Sequence, residues 1–113
     1  MARKETWNDI GAELVGYFRM DCQYCSCNRP GEIPNKSTQG AHALVYKRSY
    51  NKRKKHKYIN VRENFMPCCD DCAKFSETYK GRCHAWKVLC FWYGEERIVA
   101  WYDSLELKAK ERF

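Results

Sequence analysis

Long apolar runs are absent from this 113-residue sequence. No stretch approaches the roughly 18 apolar residues that a membrane-spanning helix needs, and no apolar segment near the N-terminus resembles a secretory signal peptide. Internal repeats and low-complexity linkers are also missing. These absences argue against a membrane protein, a secreted protein or a repeat protein, and they predict a single cytoplasmic domain covering residues 1–113.

Cysteine, in contrast, is abundant, with eight residues in a short chain. Four of them form two Cys-x2-Cys pairs, a spacing that lets two thiolates hold one metal ion from a single turn. In a cytoplasmic chain such pairs favour metal binding over a disulfide scaffold, which is the alternative. We therefore predict a structural Zn²⁺ site. Its predicted ligands are Cys22, Cys25, Cys69 and Cys72.

The other four cysteines have less regular spacing. Cys27 and Cys68 adjoin the two pairs and could replace Cys25 or Cys69 as ligands. Cys83 and Cys90 fall in an aromatic-rich segment, where free thiols are usually buried. Their sequence positions leave these roles open.

Positive charge is concentrated in one segment of a chain whose net charge is +7. Between residues 47 and 57, eight of eleven residues are Lys, Arg or His. Such a run repels itself, so we expect an exposed loop that is either merely solvated or bound to nucleic acid. Phosphates attract such a surface, and interleaved tyrosines can stack on bases. The predicted nucleic-acid contacts are Arg48, Lys52, Arg53, Lys54, Lys55 and Lys57.

Local patterns predict an α+β chain with a ββα core. Residues 6–19 have helical apolar spacing, with Thr6 and Asp9 placed for a capping box. Residues 41–46 and 58–61 are rich in β-branched and aromatic side chains, which predicts two strands on either side of the basic segment.

The C-terminal third is predicted to be helical. Residues 73–80 suit a helix that stops at Gly81, and later helical segments are separated by Gly94. With the cysteine pairs, this order predicts a small treble-clef zinc domain of the ββα-metal type. We expect an N-terminal helix in residues 1–20, the zinc and ββα core in 21–81, and C-terminal helices in 82–113.

Two further residues extend the metal pattern. His42 falls on the first predicted strand, and Asn64 lies five residues before Cys69. Together with the second cysteine pair they resemble the HNH nucleases. The resemblance implies an HNH-like endonuclease in which His42 activates water, Asn64 orients the site, and Mg²⁺ or Mn²⁺ is the catalytic ion.

A longer set of motifs resembles the NinG (Rap) recombination-protein family of phage lambda. It comprises the Gly40-Ala41-His42 segment, an Asn leading into Cys-x2-Cys, Gly81 nine residues after Cys72, and a helical segment from Leu89 to Glu95. It covers roughly residues 20–105. The resemblance implies a phage-encoded, metal-dependent hydrolase or junction-binding protein that acts on branched or structured DNA, and it leaves a homodimer open.

Two positions depart from the HNH pattern. Ala41 precedes His42 where many of these enzymes carry Asp or His, and Ala73 follows Cys72 where a His or Asn ligand is expected. An alanine side chain cannot coordinate a metal. The alternatives are therefore a catalytically inactive zinc module that binds DNA or a host protein, or an adaptor docking through its aromatic tail. On these alternatives His42 has a structural role and Asn64 caps the following turn.

Overall fold

The computed structural model of the protein describes residues 5–46 and 59–105. Its elements combine helices with one two-stranded antiparallel sheet, which confirms the predicted α+β class. The helices are α1 (Trp7–Gly11), α2 (Cys25–Asn28), α3 (Tyr79–Tyr93) and α4 (Glu95–Asp103), and the strands are β1 (Gln39–His42) and β2 (Phe65–Cys68).

The N-terminal helix begins with the predicted capping box. The Asp9 amide donates to the Thr6 hydroxyl at 3.1 Å, and the Asp9 carboxylate accepts from the Thr6 amide at 3.0 Å. Beyond α1 the chain continues as a π-helix over Ala12–Tyr17. The helical segment therefore ends two residues before the predicted limit at residue 19.

Arg62 attaches this N-terminal segment to the rest of the domain. Its guanidinium lies 2.7 Å from the Glu5 carboxylate and also pairs with Glu13. Ile10 and Leu14 bury their side chains in a small apolar cluster with Phe65 of β2. Two ion pairs of Arg62 and one apolar cluster thus place α1 beside the sheet.

The first strand begins and ends earlier than predicted. β1 covers Gln39–His42, whereas the sequence pattern pointed to residues 41–46. Its partner β2 runs antiparallel, with Gln39 opposite Cys68 and His42 opposite Phe65. Gly40 is required here because a Cβ at that position would lie 2.2 Å from the Phe65 ring.

The prediction of a second strand at residues 58–61 is wrong for residues 59–61, and residue 58 lies outside the described ranges. The sheet is completed by Phe65–Cys68, and a 3-10 turn at Arg62–Asn64 precedes it, closed by the Asn64 amide donating to the Val61 carbonyl at 3.0 Å. The carbonyl of Ile59 accepts from the Asn64 side chain instead of from a strand. Competition from this side chain is the physical reason that β-branched composition failed as a guide.

Gly81 does not end a helix, so that prediction is also wrong. After Cys72 the chain forms a 3-10 turn at Phe75–Glu77, and Thr78 then caps α3 by accepting from the Gly81 amide at 3.0 Å. A Cβ on Gly81 would lie 2.2 Å from the Phe75 carbonyl oxygen, so close approach explains the glycine. The predicted boundary between the zinc core and the C-terminal helices, at residues 81 and 82, therefore falls inside α3. Gly94 ends α3, as predicted.

The main core surrounds the two cysteine pairs. Buried side chains from β2, α3 and α4 pack there with the sulfur atoms, and the half-buried Ala41 of β1 packs against them. Within the described ranges, no helix is both long and apolar enough to cross a bilayer. The largest fully buried members of this core are Tyr24, Leu44, Ile59, Met66, Leu89 and Ile98.

Candidate metal centre and histidine cavity

The four predicted ligand cysteines form one buried cluster. Their sulfur atoms all lie within 4.8 Å of one another, and two of the separations, Cys25–Cys69 and Cys25–Cys72, are 3.8 Å. Zinc–sulfur bonds of about 2.3 Å in a tetrahedron require sulfur atoms about 3.8 Å apart. Disulfide sulfurs are bonded at about 2.05 Å, and all eight cysteines are free. The cluster therefore fits a closed structural zinc site.

Both ends of the cluster are placed by backbone hydrogen bonds. Cys22 donates its amide to the Asn35 carbonyl at 2.8 Å, and Cys72 donates to the Cys69 carbonyl at 3.2 Å. Cys25 opens α2, and Cys69 directly follows β2. The sheet and two short turns thus bring together cysteines that are 44 to 47 residues apart.

Polar side chains around the cluster donate to three of its sulfurs. Asn28 donates to Cys72 and Asn35 donates to Cys69, each at 3.4 Å, while the Arg29 guanidinium lies 3.9 Å from the Cys25 sulfur. Donors of this kind orient the ligands and offset the negative charge of four thiolates. Cysteine spacing carried no signal for them.

The fourth sulfur, that of Cys22, is influenced by Cys68, which is not one of the four clustered cysteines. Hydrogen bonding with Cys68 lowers the pKa of Cys22 to about 4, and the same contact raises the pKa of Cys68 above its usual range. Cys68 thus favours the thiolate form of Cys22, and its own thiol donates to the Cys69 carbonyl at 3.2 Å. Neither Cys68 nor the half-buried Cys27 is a member of the four-sulfur cluster, which settles the alternatives left by the spacing.

His42 is held between two side chains. Its ring stacks on Trp7 with centroids 4.2 Å apart and planes 4° from parallel, and Nε2 lies 2.7 Å from Oδ1 of Asn60. An amide oxygen only accepts, so Nε2 carries the proton and Nδ1 carries the lone pair. Neither partner was predicted: Trp7 resembled an ordinary core residue, and no pattern marks Asn60.

A cavity of about 410 Å³ opens beside His42. Its wall includes Ala41 and Ala73, the two positions where the HNH pattern expects metal ligands, and also Lys74 and Glu77. The two alanines that depart from the HNH pattern thus line the same cavity. The carboxylate of Glu77 is the only Asp or Glu side chain among the lining residues of this described region.

Asn64 is completely buried and bonds to backbone on both sides. Its oxygen accepts from the amides of Leu44 and Val45 at 2.7 and 3.2 Å, and its NH₂ group donates to the carbonyls of Val45 and Ile59 at 2.9 and 3.0 Å. These bonds use the full capacity of the amide. Asn64 clamps the two chain segments that lead into and out of residues 47–58, and it does not line the cavity.

The remaining predicted sites have different outcomes. The basic residues between 48 and 57 lie outside the described ranges. Within those ranges, the four cysteines form the one group of three or more metal-ligating side chains. In the aromatic tail, Trp86, Trp92 and Trp101 are half-buried against the core, and Phe91 is exposed.

The sequence matches no known family model, no curated protein and no solved structure. What stands on the geometry alone is a small α+β chain with a buried four-cysteine cluster suited to zinc.

Proposed function

We propose that the protein is a metal-dependent, structure-selective DNA endonuclease of the phage-recombination type, built on an HNH-like treble-clef zinc scaffold. One observation supports this function above others: the lining of one 410 Å³ cavity includes a histidine, a carboxylate and a lysine. The side chains are His42, Glu77 and Lys74. Such a set provides a base, a cation ligand and a phosphate contact.

His42 is the general base in this proposal. Histidine is the side chain whose ordinary pKa lies closest to neutral pH, and Trp7 and Asn60 restrict the orientation of its ring. Because Nε2 donates to Asn60, Nδ1 is the nitrogen that accepts a proton from water. Asn64 orients the site indirectly, by holding the backbone of Leu44 and Val45 just after His42.

Glu77 takes the place of the ligand that Ala73 lacks. Mg²⁺ is commonly held by one or two carboxylates together with phosphate oxygens of the substrate, so one glutamate beside a bound phosphate is a sufficient protein contribution. When bound, the ion stabilises negative charge on the phosphate and on the leaving oxygen. Lys74 and the basic residues 48–57 contact neighbouring phosphates.

A second candidate function is DNA binding without cleavage. It is favoured by the position of Ala41 and Ala73, which line the same cavity and remove two ligands from it. On this account the domain holds branched DNA, and His42 has a structural role in its stack on Trp7.

The two functions are separated by a cleavage assay on linear, flapped and four-way DNA across a Mg²⁺ and Mn²⁺ titration. We expect cleavage of the branched substrates that is lost in His42→Ala and strongly reduced in Glu77→Gln. Glu32→Gln, at an exposed carboxylate on the zinc side, is the matched control and should cleave normally.

DNA affinity is measured in the same samples. Binding with no divalent-dependent cleavage of any substrate would establish the second candidate. Cleavage by His42→Ala at the wild-type rate would remove His42 from the mechanism. Absence of DNA binding in all samples would reject both functions.

A further inference from the structure

The charged side chains of α3 are all basic. The helix contains Lys80, Arg82, His84 and Lys87 but no Asp or Glu in its 15 residues. The acidic side chains of the described residues lie elsewhere: in the N-terminal segment, around the zinc centre, at Glu63 and Glu77, and in α4. A helix with this composition presents positive charge without an internal ionic partner.

The exposed side of α3 also carries aromatic rings. Gly81, Ala85 and Leu89 define its buried side. At 100° per residue, the opposite third of a turn holds six residues, and one of them, Cys90, packs partly buried against the core. Tyr79 is 67% exposed and Phe91 is 87% exposed. This basic-aromatic face consists of Tyr79, Lys80, Cys83, Lys87 and Phe91.

We propose that the basic-aromatic face of α3 binds a single-stranded segment of the nucleic acid, adding a second contact surface to the one in residues 48–57. The inference rests on the proposed function, because it assumes a DNA substrate. Cations bind the phosphates, and exposed aromatic side chains stack on unpaired bases irrespective of sequence. A branched DNA supplies such an unpaired segment where its duplex arms separate.

The charge of the face suits a polyanion. Among the described residues, neither Lys80 nor Lys87 forms an ion pair, whereas Lys36 on the zinc side pairs with Asp21 at 2.9 Å. At the far end of the helix, burial raises the pKa of Cys90, and the negative charge of Glu95 raises it further. Charge complementarity therefore favours a nucleic-acid strand over a basic or purely apolar partner.

The position of the face links it to the histidine cavity. Lys74, Ser76 and Glu77 line that cavity, and the chain passes from them through Thr78 directly into α3. Tyr79 and Phe91 are separated by 12 residues, or about 18 Å of helix. A strand lying on this face would have room for several nucleotides and would lead toward His42.

The test uses the full chain and a fluorescent dT oligonucleotide of 20 nucleotides, with affinity measured over a range of salt concentrations. Lys87→Gln should weaken binding and reduce the salt slope by about 0.7, the value for one phosphate contact on a single strand. Lys36→Gln is the matched control for an exposed lysine and should leave the slope unchanged. Circular dichroism confirms that both variants fold.

Phe91→Ala tests stacking separately from charge. Loss of one base–aromatic stack corresponds to a decrease of about 5- to 150-fold in oligonucleotide affinity. Tyr17→Ala is the control, since Tyr17 is 80% exposed on the N-terminal segment. Heparin, a polyanion without bases, should bind Phe91→Ala and wild type equally.

The outcomes distinguish this inference from the proposed function. If Lys87→Gln and Phe91→Ala bind the oligonucleotide as the controls do, while neutralising Lys52 to Lys57 abolishes binding, the face is rejected and the DNA-binding function stands. If wild type binds neither the oligonucleotide nor branched DNA, both are rejected. Equal loss of heparin and oligonucleotide binding in Phe91→Ala would contradict stacking.

Discussion

Replacement of Asn64 by alanine is expected to destabilise the domain severely. The side chain is fully buried and makes four hydrogen bonds to the backbone of Leu44, Val45 and Ile59. Each buried backbone group left without a partner costs about 1–3 kcal/mol. Since water can enter part of the vacated space, we expect a loss near the lower limit for four groups, about 4 kcal/mol.

Such a loss is a large fraction of the stability of a small domain, about 5–15 kcal/mol. The assay is denaturant unfolding of the zinc-loaded protein, followed by tryptophan fluorescence. Asn60→Ala is the control, because Asn60 is only half-buried and, within the described part of the chain, its side chain bonds to His42 alone. Its expected loss is about 1 kcal/mol.

Asn64→Asp provides a second variant in case the alanine variant does not fold. It preserves the shape and the oxygen that accepts from both the Leu44 and Val45 amides, but it directs a second carboxylate oxygen at two carbonyls. We expect an intermediate loss of stability. A change below about 1 kcal/mol in Asn64→Ala, accompanied by loss of cleavage, would refute the clamp and indicate direct participation in chemistry.

Two further variants test packing and the metal centre. Gly81→Ala should destabilise the domain by about 1–3 kcal/mol, because the new Cβ overlaps the Phe75 carbonyl. Gly16→Ala is the control and should be neutral or stabilising, since the nearest atom to a Cβ there lies at 4.0 Å. Equal effects of the two substitutions on thermal unfolding would contradict the close approach at Gly81. Cys68→Ala should move zinc release to higher pH, because Cys68 lowers the pKa of Cys22 to about 4. The stability that the Cys22 thiolate contributes is complete above the ordinary thiol pKa of about 8.5. It is lost as the pH falls through the pKa of Cys22 in the folded protein. An unchanged pH midpoint in a zinc-indicator assay would show that the contact has no such effect.

Local chemistry made part of the fold predictable. The Cys-x2-Cys spacing, the Thr6–Asp9 capping box and the break at Gly94 each depend on residues within one turn of chain, and the structure contains all three. Strand positions depend on distant partners. Residues 58–61 have strand composition, but the Asn64 side chain takes the Ile59 carbonyl, so pairing begins only at Phe65.

The candidate site likewise combines features predictable from local sequence with features that depend on distant residues. His42 was predicted from its resemblance to the HNH pattern, and Ala41 and Ala73 were recognised as departures from the same pattern. The stack on Trp7, the bond to Asn60 and the cavity shared with Glu77 require the tertiary arrangement. Gly81 shows the limit clearly, since the same residue type ends one helix and permits close packing inside another.

The metal content of the purified protein tests the central structural claim most directly. The four-cysteine centre predicts one zinc ion per chain by elemental analysis, none in Cys72→Ser, and one in Cys90→Ser, whose sulfur lies outside the cluster. Structural zinc sites contribute about 10–16 kcal/mol of apparent binding energy in small domains, so chelation should also unfold the wild-type protein. A folded, metal-free protein with four reduced thiols at these positions would contradict the account.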